Sequence, residues 1–429
     1  MLSDLKAARK VIRTAIRSRR RRAELAHIEQ VEGPPPSNAF RIAVYFADTS
    51  VNLYQMRQWY APLAELAREH PVVVIARSPS AALALRDECP VPVVYRRRVV
   101  DLEAFVADQE LRMVLYVNQN TKNFQMFRYG RMWHVFINHG ESDKMYMTSN
   151  QFKAYDYALV AGQAALDRLG RKLWDYDLDA KAIPIGRPQA DHFAGDVPYP
   201  DDDRTVVLYA PTWEGDRPAA AYGSIASHGE AIAAAVLASP RHRLVYRPHP
   251  RSGVISRAYK AAHRRIVDAI AAANAADPSA QHVYDDGPAL GWQLAAADVA
   301  ITDISAMVYD RLATGRPIAV TRPASPDAEV DEEGFLGAAD WLDAADAPDV
   351  LDLVERLLHD PESVAKLGHW AQRYFGDTAP GAATARFHAA IAQLDAAWEQ
   401  AATTHAGDRR VSEHDPLDDE DDEGMPDVE

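Results

Sequence analysis

The sequence contains a single cysteine, Cys89, and no apolar run long enough to cross a membrane. A spanning helix needs about 20 predominantly apolar residues, and one thiol cannot form an intrachain disulfide. The N-terminus also lacks the apolar segment of a secretory signal, so we expect neither export nor a spanning helix. We interpret Cys89 as a buried, inert thiol and expect a cytoplasmic protein, since disulfides are rare in reducing compartments.

The charge is concentrated at the two ends of the chain, although the formal net charge is -15. Residues 1–30 contain nine basic and three acidic residues, whereas residues 413–429 contain ten acidic residues and no lysine or arginine. The acidic end has almost nothing apolar to bury, so residues 404–429 are predicted to form a disordered tail.

The N-terminal segment, residues 1–37, has the pattern of a basic amphipathic helix followed by a proline-rich linker, "EGPPPSN" at residues 32–38. Its apolar face contains Leu5, Ala8, Ile12, Ala15 and Ile16, and its neighbouring basic face contains Lys6, Arg9, Lys10, Arg13 and Arg17. Such a helix can lie on an anionic membrane surface, pack against the body of the protein or bind nucleic acid. We favour the membrane surface over nucleic acid as the partner of residues 1–30, and therefore a peripheral location at the inner face of the cell membrane.

Two series of short apolar runs alternate with helical patterns on either side of residue 200. This alternation predicts an α/β fold with two doubly wound, Rossmann-like domains at residues 38–196 and 197–403. In such sheets ligands bind beyond the carboxyl ends of the strands. The residues that follow each predicted strand are therefore the first candidates for chemistry.

Polar clusters follow four of the predicted strands. They are "HGESDK" from His139, "YAPTW" from Tyr209, "YRPHP" from Tyr246 and "TDIS" from Thr302. Each cluster alone has a structural interpretation, as a satisfied histidine, a rigid proline turn or a helix N-cap. One cluster ends the first half and three follow strands of the second half, and this arrangement favours a shared site.

The three clusters of the second half have the chemistry of a diphosphate site. Thr302, Ser305 and the first amides of the helix near Ala306 favour an anion through hydroxyl donors, free N–H groups and the helix dipole. Arg247 offers planar, multidentate donors to phosphate oxygens. His249 lies between two prolines and can donate a further hydrogen bond.

Other residues have two interpretations each. Asp310 can accept hydrogen bonds from ribose hydroxyls or pair with Arg311 or Arg316. His139, with an ordinary pKa of about 6.5, can remove a proton from an acceptor hydroxyl, and Glu141 or Asp143 are candidates to orient it. Lys144 can neutralise a phosphate or simply end a surface helix.

In this order the motifs resemble the CDP-glycerol glycerophosphotransferases of teichoic-acid and related polymer synthesis. The resemblance covers roughly residues 130–320. It implies a GT-B fold, peripheral membrane attachment, and transfer of glycerol phosphate from CDP-glycerol to a polymer or lipid-linked acceptor with loss of CMP. It implies no metal and no cofactor, with CDP-glycerol as the substrate.

The resemblance also assigns roles to individual residues. His139 becomes the catalytic base, with His249 as a second catalytic histidine. It also implies Arg247, His249 and Ser305 as ligands of the donor diphosphate and Asp310 as a ribose or nucleotide contact. Beyond the resemblance, we assign Thr302 and Thr212 to the donor diphosphate, Asp303 to ribose or nucleotide, and Lys144 and Glu141 to acceptor or phosphate.

The chain departs from the family pattern at two places. The family commonly has Gly-Thr-Pro-Leu-Lys where this chain has Gly140-Glu141-Ser142-Asp143-Lys144, and a second serine where this chain has Ala306. The added negative charge is expected to raise the pKa of His139 and to repel a polyanionic acceptor.

Two other functions fit the same patterns. A GT-B glycosyltransferase with a nucleotide sugar shares the fold and the diphosphate chemistry. A non-catalytic module that binds a membrane or nucleic acid would use the basic helix instead.

Overall fold

The computed structural model describes residues 2–141, 149–215, 217–287, 290–330 and 332–406, with side chains from residue 13 onward. Within these residues the chain forms two parallel β-sheets, each covered by helices. This arrangement confirms the prediction of two doubly wound α/β units.

The first sheet has seven parallel strands in the order β3-β2-β1-β4-β5-β6-β7. The strands are β1 (Ile42–Phe46), β2 (Val72–Ala76), β3 (Val93–Tyr95), β4 (Met113–Tyr116), β5 (Trp133–Phe136), β6 (Tyr157–Val160) and β7 (Ala182–Pro184). Every residue of β1 and β2 is buried, because helices cover both faces of a parallel sheet. Alternate side chains of β1 enter separate hydrophobic clusters on the two faces, as the two-residue period of a strand requires.

The second sheet has six parallel strands in the order β10-β9-β8-β11-β12-β13. The strands are β8 (Thr205–Ala210), β9 (His242–Tyr246), β10 (Val283–Tyr284), β11 (Val299–Thr302), β12 (Ile318–Thr321) and β13 (Trp341–Leu342). The carboxyl ends of β8, β9 and β11 are neighbours in this order. The three polar clusters of the second half therefore meet beyond the carboxyl ends of these strands.

Fourteen α-helices surround the sheets in the described part of the chain. They are α1 (Leu2–Glu32), α2 (Leu53–Arg57), α3 (Tyr60–Leu66), α4 (Pro79–Glu88), α5 (Val99–Asp108), α6 (Gln163–Lys172), α7 (Leu178–Lys181), α8 (Glu230–Leu237), α9 (Arg257–Ala276), α10 (Trp292–Ala296), α11 (Ala306–Leu312), α12 (Val350–His359), α13 (Pro361–Phe375) and α14 (Ala382–Thr404). Among the described helices none has both the length and the apolar character needed to cross a bilayer.

The predicted N-terminal helix is present as α1, and its final turns pack against the first domain. Leu25 is fully buried in the hydrophobic cluster of that domain, and Glu29 accepts a 2.8 Å hydrogen bond from Arg96. Arg13, Arg19 and Arg20 lie exposed nearer the N-terminus of the helix. The second half of α1 is thus part of the body of the protein.

Helix α14 returns the chain to the first domain, although all but its last residue lies within the range 197–403 assigned to the second. Phe387 packs 5.3 Å from Trp59 between ring centroids, and the Trp133 indole donates to the Leu394 carbonyl at 3.1 Å. A further cluster joins Ala164 of α6 to Phe375 of α13 and to buried residues of α11. The two domains therefore share apolar contacts as well as chain crossings.

Candidate functional site

The His139 turn begins where β5 ends, and its backbone is fixed from several sides. Ile137 N donates to the Tyr116 carbonyl at 2.9 Å, and the Trp59 indole donates to the Asn138 carbonyl at 2.5 Å. Asn138 has a φ of 55°, a left-handed conformation that asparagine tolerates better than most residues. The turn therefore presents His139 directly beyond the carboxyl end of the strand.

The hydrogen bonds of His139 define its neutral tautomer. Its Nδ1 lies 2.8 Å from the Val117 carbonyl oxygen, and a carbonyl can only accept, so Nδ1 carries the proton. The Nε2 lone pair is then the basic position of the ring. Burial lowers the pKa of His139, and the nearby Arg187 cation lowers it further, whereas the Val117 carbonyl and Asp48 act in the opposite direction.

Glu141 does not act on His139 as the sequence suggested. Its side chain is buried and forms an ion pair with Arg168 of α6. The expectations that Glu141 orients the base or raises its pKa are wrong, because the Val117 carbonyl binds Nδ1 and the charges that act on the ring are Arg187 and Asp48. The assignment of Glu141 to acceptor or phosphate stays a prediction. Ser142, Asp143 and Lys144 lie outside the described residues, and the assignment of Lys144 stays a prediction.

Several residues around His139 were missed in the sequence. Asp48 follows β1 and accepts hydrogen bonds from Asn52 at 3.0 Å and from Asn118 at 2.7 Å. The Tyr54 ring lies edge-on to the His139 ring at 5.8 Å between centroids and is half-exposed. Asp48 and Asn118 follow strand ends, so the rule used for the other clusters would have found them.

Arg247 and His249 lie together beyond β9. Arg247 forms an ion pair with Asp285 and donates to the Gly287 carbonyl at 3.1 Å, so its guanidinium is held in place. His249 is exposed, and its Nδ1 accepts a 3.1 Å hydrogen bond from Arg251 N. Because that nitrogen accepts, the proton of the neutral His249 ring is on Nε2, which makes Nε2 a donor.

A clamp that the sequence did not indicate holds the loop of His249. Glu214 accepts N–H hydrogen bonds from Gly253, Ile255 and Ser256 at 2.8–2.9 Å, at the start of α9. Burial alone would raise the pKa of Glu214, but these N–H donors bring it below its ordinary value. The clamp ties the loop after β8 to the loop after β9.

Asp303 and Thr302 face the interior, which corrects two assignments. Asp303 is fully buried and accepts from Thr212 N at 2.8 Å, Ser224 N at 3.0 Å and the Thr321 hydroxyl at 2.5 Å. Burial raises its pKa to about 6. Thr302 is also fully buried, so neither side chain is exposed to a nucleotide.

Thr212 joins the site through its backbone. Its N–H is bound by Asp303, and the adjacent Pro211 carbonyl accepts from His249 N at 3.0 Å. The three clusters "YAPTW", "YRPHP" and "TDIS" are therefore connected directly. Asp303 is the buried anchor of this arrangement.

Ser305 and Asp310 lie on α11 or at its start. The Ser305 side chain caps the helix by accepting from Met307 N at 3.3 Å and is half-buried. Asp310 pairs with Arg187 of the first domain at 2.5 Å and is 3% exposed. The expected pairing of Asp310 with Arg311 or Arg316 is wrong, since both arginines donate to backbone carbonyls instead. The ribose contact of Asp310 stays a prediction.

The site residues thus form two groups, one in each domain. His139 belongs to the first domain, and Arg247, His249, Thr212 and Ser305 belong to the strand ends of the second. Arg187 links them, because it contacts both the His139 carbonyl and Asp310.

Comparison with solved structures places the fold among known architectures. A variant of the wall teichoic acid polymerase TagF soaked with CDPG has a TM-score of 0.52 at 11% identity, and the match covers 93% of this chain and 99% of the other. Another TagF structure has a TM-score of 0.51 at 12% identity, covering 92% and 99%. A UDP-N-acetylglucosamine 2-epimerase has a TM-score of 0.50 at 15% identity, covering 80% and 93%. These likenesses confirm the predicted GT-B-like fold.

The sequence also matches a family model. No curated protein matches the chain. The model of the CDP-glycerol:poly(glycerophosphate) glycerophosphotransferase family matches residues 138–330. This range contains all four polar clusters, from "HGESDK" to "TDIS". The match confirms the resemblance to the CDP-glycerol glycerophosphotransferase family and supports a glycerophosphotransferase-type enzyme that uses a nucleotide-activated donor.

Proposed function

We propose that the protein transfers glycerol phosphate, or a related polyol phosphate, from a CDP-activated donor to a hydroxyl of a polymer or lipid-linked acceptor. The observation that carries the proposal is the neutral His139 tautomer, whose Nε2 has the lone pair that a general base needs. In this proposal the acceptor hydroxyl lies at His139 and the donor at the polar groups of the second domain. Arg187 and Asp310 connect the His139 turn to that domain.

The reaction is a single displacement at phosphorus. The acceptor hydroxyl loses its proton to His139 Nε2, and its oxygen attacks the β-phosphorus of the donor. The bond from the β-phosphorus to the bridging oxygen breaks, and CMP leaves with that oxygen and its electron pair. Positioning and charge stabilisation supply most of the catalysis in phosphoryl transfer.

The second domain offers donors for the negative charge of the diphosphate. A guanidinium has five N–H donors in a planar fork, and Arg247 uses donors of its two terminal nitrogens for Asp285 and Gly287. His249 Nε2–H and the Ser305 hydroxyl are further candidate donors. The Glu214 clamp keeps the His249 loop in a fixed position, so these donors are arranged before the substrate arrives.

The test is a donor panel scored by the nucleotide that is released. Wild-type protein and the variant His249→Ala are incubated with CDP-glycerol, CDP-ribitol and UDP-sugars, with and without a teichoic-acid-type acceptor. We expect CMP from a CDP-polyol and loss of release in the variant. UMP or UDP from a UDP-sugar would indicate a glycosyltransferase, and no release from any donor would favour a binding module. Unchanged CMP release by His249→Ala would refute the site assignment.

We also propose that the basic helix α1 attaches the enzyme to an anionic membrane surface. Arg13, Arg19 and Arg20 are exposed, and each basic residue near such a surface contributes about 1 kcal/mol. The variant R13Q/R19Q/R20Q should lose sedimentation with phosphatidylglycerol vesicles but keep its turnover in solution. The control R264Q, at an exposed position of α9, should bind the vesicles like the wild type. Equal binding by all three proteins would refute the proposal.

A further inference from the structure

Arg187 occupies the boundary between the two domains. It follows β7, where the chain leaves the first sheet, and its side chain is only 6% exposed. Its partner Asp310 on α11 of the second domain is 4% exposed at the side chain. The pair is therefore a desolvated contact between the domains.

The guanidinium of Arg187 contacts three separate parts of the structure. Nη2 donates to Asp310 Oδ1 at 2.5 Å and to Gln58 Oε1 at 3.3 Å, beside the end of α2. Nη1 donates to the His139 carbonyl at 3.3 Å. One side chain thus joins the backbone of the candidate base to the helix that follows "TDIS".

A buried ion pair is weak evidence for stability by itself. Removing two charges from water costs several kcal/mol per ion, and well-packed apolar residues often serve the fold equally well. A role in fixing the arrangement of other groups is a more specific explanation. Here the group next to the pair is His139.

The charges around His139 are limited in number. Arg187 lowers the pKa of His139 and Asp48 raises it. The charge of Glu141, two residues along the chain, is paired with that of Arg168. Removal of the Arg187 cation should therefore favour the protonated ring. Removal of the Asp310 anion leaves Arg187 uncompensated and should favour the neutral ring.

We propose that Arg187 is a positioning residue that fixes the His139 turn through its carbonyl when Asp310 docks the second domain against it. This inference rests on the proposed function, in which His139 is the base. It means that the base is held in position by the domain that binds the donor. Neither Arg187 nor Asp310 needs to contact the substrate.

The experiment compares R187M, D310N and the double variant R187M/D310L in CMP release across pH. We expect R187M to lower kcat about tenfold or more, since small misplacements of a catalytic group are costly, and to leave the donor KM within about twofold. In a plot of kcat/KM against pH, the acid limb is the fall in activity at low pH as His139 becomes protonated. Its midpoint should move to higher pH in R187M and to lower pH in D310N. The double variant has no unpaired buried charge, so it should remain folded while it keeps the low kcat and the raised acid limb.

A second readout does not depend on turnover. The protonation of the His139 ring is followed by NMR of protein labelled in histidine, with the signal assigned by its loss in His139→Gln. We expect its midpoint to move in the same directions as the acid limbs. Wild-type kcat and acid limb in the double variant, or an unchanged His139 midpoint in R187M, would overturn the proposal.

A control is the ion pair of buried Arg243 and exposed Asp202, at the amino ends of the strands of the second sheet. Arg243 donates to both carboxylate oxygens of Asp202, at 2.9 and 2.7 Å. D202N should lower stability without moving the acid limb, and a shift like that of R187M would count against a specific role. Absence of nucleotide release by the wild type would refute the proposed function, and the NMR midpoint would still decide the role of Arg187.

Discussion

Replacement of Asp303 by asparagine should change how the stability of the protein depends on pH. Burial raises the pKa of Asp303 from 3.8 to about 6, so the folded protein binds this proton more tightly than the unfolded chain does. The resulting stability is complete below pH 4 and is lost as the pH rises through 6. The whole effect is about 3 kcal/mol, and about 1.3 kcal/mol of it falls between pH 5 and pH 7.

The asparagine variant isolates this effect, because its side chain does not titrate. Its amide oxygen can still accept from Thr212 N and Ser224 N, and its NH₂ group can donate to the Thr321 hydroxyl oxygen. Urea unfolding of both proteins gives their free energies of unfolding at the two pH values. When the pH falls from 7 to 5, the free energy of unfolding of the wild type should rise by about 1.3 kcal/mol relative to that of the variant. An equal difference at both pH values would refute the reasoning.

The same variant tests the site assignment. Because Asp303 is buried and bound by three protein donors, D303N should leave the donor KM within about twofold of the wild type. A rise of about tenfold or more in a folded variant would instead indicate the ribose contact that the motif suggested.

Three further predictions concern single residues. His139→Gln should lower CMP release about 100-fold or more, and the wild-type acid limb should lie below about pH 6.5, since burial and Arg187 lower the pKa of His139; a midpoint above that value would contradict this. Thr302→Val should raise stability by up to about 1 kcal/mol in thermal unfolding, because the buried hydroxyl makes no hydrogen bond among the described residues. A lower stability would contradict this prediction, and a higher donor KM would contradict the inward orientation of Thr302. Gly186→Ala should lower the free energy of unfolding by about 1–3 kcal/mol, since φ is 76° and the new Cβ would meet the Arg386 guanidinium. Gly381→Ala should lower it less, because its φ is 82° but the space around the new Cβ is open.

The sequence predicted the sheets well because their signal is local. Fully buried parallel strands are short β-branched runs, such as "VVVIA" in β2, and helices of ordinary length separate them. The carboxyl ends of parallel strands all lie on the same side of a sheet. The sequence therefore also predicted that Thr212, His249 and Ser305 lie near one another.

The side-chain directions and long-range pairs could not be obtained in the same way. Thr302 is the last residue of β11 and Asp303 follows it, and only the packing around them determines that both face inward. Arg187 and Asp310 are separated by 123 positions, and no local pattern relates them. Glu141 was misassigned for the same reason, because its partner Arg168 is 27 residues away.

Helix α14 has a mechanical consequence for the enzyme. The polypeptide passes between the domains once after β7 and again between α13 and α14, and the second passage ends in the core beside Trp59. Because the chain crosses twice, both ends of the second domain are anchored to the first. The position of the strand ends that carry Arg247, His249 and Ser305 is therefore constrained at two points relative to His139, where a single linker would constrain it at one.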